Sequence, residues 1–258
     1  MAPRSFRHSI AHVLEGIGSQ GLILAQALRA TAAGKLDSFE FRRSIVRLGL
    51  HSIPVIFSTA LFVGGIMVVQ SVPLLQRFGA ESLLGWGAGF GILREIGPIL
   101  TGLMISGRVG ANNTAELGTL AVTNQIDGLR ALAIDPAGYL MAPRILAIVV
   151  TNTLGTLLSM AVALFGAALS GLLLLGVSPD LFWNSLTGGL LDIFDVTHGL
   201  IKAVVFGLAI ATCSTSFGMR AEGGAPGVGR AVSSSVVVSA LLIFLLDALV
   251  SFTDRGNS

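Results

Sequence analysis

Four ionisable side chains, Arg94, Glu95, Lys202 and Asp247, stand inside long apolar stretches of this 258-residue sequence. An ionisable group at membrane depth is costly, so it faces a protein interior or a wet cavity and marks an ion, proton or substrate path. On straight helices, Arg94 and Glu95 fall about 20 Å from the boundary marked by Arg108; Lys202, counted from Arg220, and Asp247, counted from Arg230, reach about 27 and 26 Å. Opposite charges at one depth can pair. Two readings stay open for these residues. In one, all four line the outer half of a lipid cavity, with the cations meeting a phosphate headgroup. In the other, Lys202 snorkels to the interface and the Arg94-Glu95 pair only stabilises helix packing.

The elements that must hold these charges are membrane helices. Hydrophobic residues make up 53% of the chain and Asp, Glu, Lys and Arg only 12%, against about 25% charged in a soluble domain. Thirty-three glycines suit close-packed helices in lipid. Five spans are expected, near 52–76, 82–107, 145–177, 198–219 and 231–252. The first, uncharged over twenty-five residues, would be about 37 Å long, enough for a hydrocarbon core of about 30 Å. The third is too long for one simple crossing and too short for two, so it reads as one span with a projecting end. Lys and Arg crowd the segments that lie inside if the N-terminus is cytoplasmic, which sets the expected orientation. Residues 1–50 read as an interfacial amphipathic helix followed by a basic cluster at Arg42, Arg43 and Arg47, with a signal peptide as the competing reading interrupted by Glu15. Residues 51–258 form the second expected domain. The segment 178–196, with Phe182 and Trp183, is expected at the outer interface. Gly85 with Gly89 and Gly87 with Gly91 are small-residue pairs that let helices approach closely, a weak indication of a dimer seam.

Several chemistries are excluded or left without support. A net charge of +2 gives no broad basic face for nucleic acid. A single cysteine, Cys213, permits no intramolecular disulfide, and His8 with His12 lacks the rest of a metal-binding motif. There is no phosphate-binding loop, since Gly34-Lys35 is followed by Leu36, so the chain is not expected to hydrolyse ATP by itself. No Gly-x-Ser-x-Gly elbow supports a hydrolase. The expectation is therefore a protein that is not an enzyme and carries no cofactor of its own.

Between spans two and three, residues 108–144 form an expected cytoplasmic region. Asn112 or Asn113 can cap a helix start and Asp135-Pro136 can end one. Ile126, Leu129 and Leu132, with Asp127 and Arg130, then describe a short helix with one apolar side, suited either to a groove on another protein or to an ordinary surface loop.

Five ordered motifs give a further reading. Leu93-Arg94-Glu95-Ile96-Gly97-Pro98, Gly107-Arg108-Val109-Gly110-Ala111, Ala115-Glu116-Leu117-Gly118, Gln125-Ile126-Asp127-Gly128-Leu129 with Asp135-Pro136, and Gly223-Gly224-Ala225 through Gly227-Val228-Gly229-Arg230-Ala231 together resemble the MlaE family of ABC transporter permeases from about Arg43 to Thr253. Asn124, Pro226 and Ser233 depart from the family's usual residues. The resemblance implies an all-α polytopic protein of the inner membrane that forms a homodimer with a second copy of itself. It also implies a separate cytoplasmic ABC ATPase, which holds the ATP and Mg, an MCE-domain substrate-binding protein, and a small STAS-domain accessory protein. The implied substrate is a phospholipid or related lipid moved between inner and outer membranes. Glu116, Gln125, Asp127 and Arg130 then belong to the ATPase-coupling region. The rival functions are a proton-coupled secondary transporter using Glu95 or Asp247, and a non-transporting membrane scaffold.

Overall fold

The computed structural model describes residues 38–79, 83–188 and 191–255, together with Gly21, Ile23, Ala25 and Arg29. The expected interfacial helix before residue 38, and the signal-peptide alternative, lie outside the described residues apart from those four. Every regular element among the described residues is helical. Helix α1 is Ser38–Gly49 and α2 is Ile53–Arg77. A long α3 covers Leu84–Val122, followed by α4, Gln125–Ala131, and α5, Ala142–Leu175. A short α6, Pro179–Thr187, precedes α7, Ile193–Met219, and α8, Gly224–Arg255. Among the described residues, five helical stretches are long and apolar enough to cross a membrane, one for each expected span. The third is a single helix of 34 residues, whose one proline, Pro143, and one charge, Arg144, both stand in its first turn, where neither breaks it.

The second span differs from expectation. Helix continues past Gly107 to Val122, so neither Asn112 nor Asn113 caps a start. The asparagines bond sideways instead: the Asn112 amide donates to Glu116 Oε1 at 2.8 Å, and that of Asn113 to Ser214 Oγ at 2.9 Å. Nor does Asp135-Pro136 end a helix. Asp135 Oδ1 accepts the backbone N–H of Ala137 and opens the wide turn Ala137–Met141 that leads into α5. Two more π turns, Ile92–Ile96 and Ser106–Gly110, interrupt α3. Each widens the helix locally and re-aims the side chains beyond it, a feature frequent at functional sites. Arg94 and Glu95 sit within the first.

The chain divides into two compact units. One contains, among the described residues, 38–48, 106–148 and 208–239. Its interior is tied by polar contacts among α3, α7 and α8: Asn113 reaches Ser214 and Thr215, and the Thr114 and Ser235 hydroxyls share a bond at 3.0 Å. Such bonds between helices hold spans together where lipid offers no hydrophobic drive.

The other unit is made of the described residues within 49–105, 149–207 and 240–255. Its apolar core includes Val68, Leu84, Ala88, Ile92, Ala163 and Phe182. Phe182 is 1% exposed: α6 folds back onto α3. Ser178 caps α6 by accepting the Leu181 N–H, with Pro179 at its first turn, both favourable helix starts. The Gly85-Gly89 face is what receives it. A Cβ on Gly85 would lie 2.1 Å from the Phe182 carbonyl oxygen, and one on Gly89 2.4 Å from a Leu186 methyl. That glycine pair therefore serves a contact within the chain. Helices α2 and α5 approach as closely, since a Cβ on Gly64 would fall 1.8 Å from the Ala163 oxygen. Beside that crossing, a groove of about 510 Å³ is lined by apolar residues with Gln70 and Ser170 and by none of the four buried charges.

Candidate functional site: a charged cluster in the spans and an exposed short helix

The first π turn of α3 presents Glu95 to α7 and α8. Lys202 is fully buried, and its ammonium donates to Glu95 Oε2 at 2.7 Å and Ser251 Oγ at 2.9 Å while meeting Asp247 Oδ1 at 2.8 Å. Ser251 in turn donates to Glu95 Oε1 at 3.2 Å. An ammonium has three N–H donors, and three oxygens surround this one. With two hydrogen bonds, an ion pair and no accessible surface, the Lys202 ammonium is enclosed by these oxygens, and neither the snorkelling reading nor the phosphate-binding role expected of it fits that burial. It acts as the counter-ion of two carboxylates. The exposed member is Glu95, whose side chain is 39% accessible against 16% for Asp247.

Arg94 forms the second pair. Its guanidinium donates to Asp195 Oδ1 at 3.2 Å and lies 5.1 Å from the centre of the Phe90 ring, an arrangement that favours a cation electrostatically. Asp195 is fixed by the backbone N–H of Asp192 on its other oxygen. His198 lies within electrostatic reach of Arg94, Glu95, Asp195 and Lys202, which places the two pairs in one neighbourhood. Two cations and three carboxylates give this cluster a formal charge of −1 with His198 neutral.

Asp195, His198 and Ser251 escaped the sequence reading, although spacing held a signal. Asp195 and His198 stand seven and four residues before Lys202 on one face of α7, and Ser251 is four residues after Asp247 on α8; such positions are neighbours on a helix.

The four residues expected to couple to an ATPase separate into two environments. Glu116 is the centre of an ion-pair node. It accepts from Arg144 at 3.0 Å and pairs with Arg47 of α1, while Arg144 also approaches Glu40 at 3.8 Å. These bonds, with the buried Ser44 and Leu48, fasten α1 to α3 and the start of α5. Gln125, Asp127 and Arg130 lie instead on the exposed surface of α4. Gln125 bonds Thr123 at 3.0 Å, and Asp127 pairs with Arg130 at 2.8 Å, both ions being more than half exposed. Ile126 is buried and anchors the helix, whereas Leu132, expected on the same apolar side, is 73% exposed.

The ends of α4 are sharply defined. Asn124 enters it in the left-handed region at φ 57°, and Ala133 leaves it at φ 59°. The Ala133 N–H reaches the Arg130 oxygen and the Ile134 N–H the Leu129 oxygen, both at 3.0 Å. This is a Schellman stop, usually built on glycine.

Known proteins share this sequence over nearly its whole length. Residues 41–253 match the family model described as Permease MlaE. A probable ABC transporter permease protein of Rickettsia felis is 36% identical over 92% of this chain and 91% of its own. A probable ABC transporter permease protein of Synechocystis is 31% identical over 98% of this chain and 95% of its own. The intermembrane phospholipid transport system permease protein MlaE of Haemophilus influenzae is 31% identical over 79% of this chain and 78% of its own. The matched stretch includes both the charged cluster and α4, and with its five apolar helices this chain belongs to the MlaE family of ABC transporter permeases.

Proposed function

We propose that the chain is the inner-membrane subunit of a transporter that moves phospholipids between membranes, working as two copies and driven by a separate ATPase that docks on α4 from the cytoplasm. The observation that carries the ATPase part is α4 itself: a seven-residue helix with rigid ends, anchored by one buried isoleucine, that turns Asp127, Arg130 and Leu132 outward. A short helix presenting an apolar residue beside charges suits a groove on a partner. The lipid part is supported by a charged cluster within membrane spans and by the phospholipid transport named for the Haemophilus relative. For a second copy, the support is α8, whose apolar span is 11% buried within the chain and exposes Leu241, Phe244 and Phe252. On this reading the conformational work reaches the spans from α4, and Glu116 holds α1 in place instead of touching the ATPase. An MCE-domain protein on the far side would exchange the lipid, and a STAS-domain protein would complete the complex.

The test is a pull-down in mild detergent with mass spectrometry of proteins and lipids together. Wild type should bring down an ABC ATPase and phospholipid. Asp127→Lys should leave the chain in the membrane and remove the ATPase; unchanged ATPase recovery and lipid transport would take α4 out of the coupling role. The excess of one carboxylate in the cluster favours one second reading, proton-coupled transport, which predicts lipid movement that follows a proton gradient with no nucleotide present.

A further inference from the structure

Glu95 and Arg94 are consecutive residues of one π turn, and their side chains differ in sign, in exposure and in the way each is held. Lys202, one of the two cations expected to meet a phosphate, is buried among Glu95, Asp247 and Ser251. The accessible face of the cluster is therefore a carboxylate at Glu95, 39% exposed, beside a guanidinium at Arg94, 25% exposed. Its formal charge is −1. A purely anionic headgroup approaching it would be repelled overall. A headgroup that carries an ammonium next to its phosphate would meet a partner for each charge.

We propose that this cluster selects zwitterionic, primary-amine phospholipids over anionic ones, with Glu95 accepting the ammonium and Arg94 facing the phosphate. Ser251 acts as a positioning residue: by donating to Oε1 while Lys202 holds Oε2, it fixes the plane of the Glu95 carboxylate. The inference rests on the lipid-transport reading above and adds the headgroup class to it. The chemistry is a charge-assisted hydrogen bond between carboxylate and ammonium, strongest where water is scarce.

The test uses the full chain, with whatever subunits co-purify, incorporated into vesicles of equimolar phosphatidylethanolamine and phosphatidylglycerol, re-extracted, and analysed for retained lipid. Wild type should retain the ethanolamine lipid over the glycerol lipid by about fivefold, the size of a partly exposed ion pair. Glu95→Gln should bring that ratio to about one. The variant still offers an oxygen to Lys202 and leaves Lys202 and Asp247 as a neutral pair, so it should fold. Glu95→Asp should keep part of the preference, and Ser251→Ala should weaken it without reversing it. Retention at the input ratio by wild type, enrichment of the anionic lipid, or a preference that survives Glu95→Gln would overturn the headgroup proposal while leaving lipid transport standing. A monodisperse wild-type protein that retains no lipid would instead remove the lipid reading, and this inference with it. Should Glu95→Gln fail to accumulate, the wild-type ratio alone decides.

Discussion

Replacing Lys202 with methionine keeps the length and apolar stem of the side chain and deletes only the ammonium. Glu95 Oε2 and Asp247 Oδ1 both contact that one nitrogen, at 2.7 and 2.8 Å. They therefore lie within about 5.5 Å of each other, where two like charges repel by about 3 kcal/mol at an effective dielectric of about 20. Loss of one member of a buried ion pair costs about 3–5 kcal/mol by experience with soluble proteins, so the two arguments agree. At roughly 2–4 °C per kcal/mol for a chain of this size, Lys202→Met should lower the apparent melting temperature in detergent by roughly 6–12 °C. The cost falls unevenly. Glu95 has some access to solvent and Asp247 little, so Asp247→Asn in the Lys202→Met background should recover about half of the loss, whereas Asp247→Asn alone should cost about 1 kcal/mol. Fluorescence-detected size exclusion after heating measures all three proteins. A Lys202→Met variant melting within about 2 °C of wild type, or a double mutant less stable than Lys202→Met, would refute the account of Lys202 as a buried counter-ion.

Other outcomes follow from single contacts. Gly85→Ala puts a Cβ against the Phe182 carbonyl and should cost about 1–3 kcal/mol with faster proteolysis near α6, whereas Gly87→Ala, with open space around it, should be neutral or stabilising by up to about 1 kcal/mol. Glu116→Gln removes the carboxylate shared by Arg47 and Arg144. It should destabilise by roughly 2–4 kcal/mol and speed tryptic cleavage at Arg43 and Arg47, with ATPase recovery per folded molecule unchanged. Asp127→Lys should leave the melting temperature within about 2 °C, because the Asp127–Arg130 ion pair is exposed and such pairs contribute about 0–1 kcal/mol. Ala133→Gly relieves a left-handed alanine and should stabilise the chain by about 1 kcal/mol in thermal unfolding.

Local chemistry accounts for what was legible before any coordinates. Spans are set by runs of apolar residues, and a run such as that of α2 or α5 has one stable form in lipid, a helix, because every backbone polar group must be satisfied internally. The placement of Arg94, Glu95, Lys202 and Asp247 within spans followed from counting residues, as did the meeting of Lys202 with Asp247 at one depth. The short helix α4 was visible in Ile126 and its neighbours. Its one-sided burial was not: Leu132 stands between the end of the helix and the left-handed Ala133 and is exposed where Ile126 is buried.

What the linear order of residues determined about this protein is thus its class, the five apolar helices among the described residues, its family and the identity of the charges within them. Each of these depends on composition or on contacts between near neighbours. Only the tertiary structure decided which charge is sealed and which is accessible, that Glu116 fastens α1, and that Gly85 and Gly89 receive α6. Those outcomes depend on residues 28 to 156 positions apart and on π turns in α3 that shift the phase of its faces. No local pattern encodes them, because burial and partner choice are properties of the packed helices and not of any one of them.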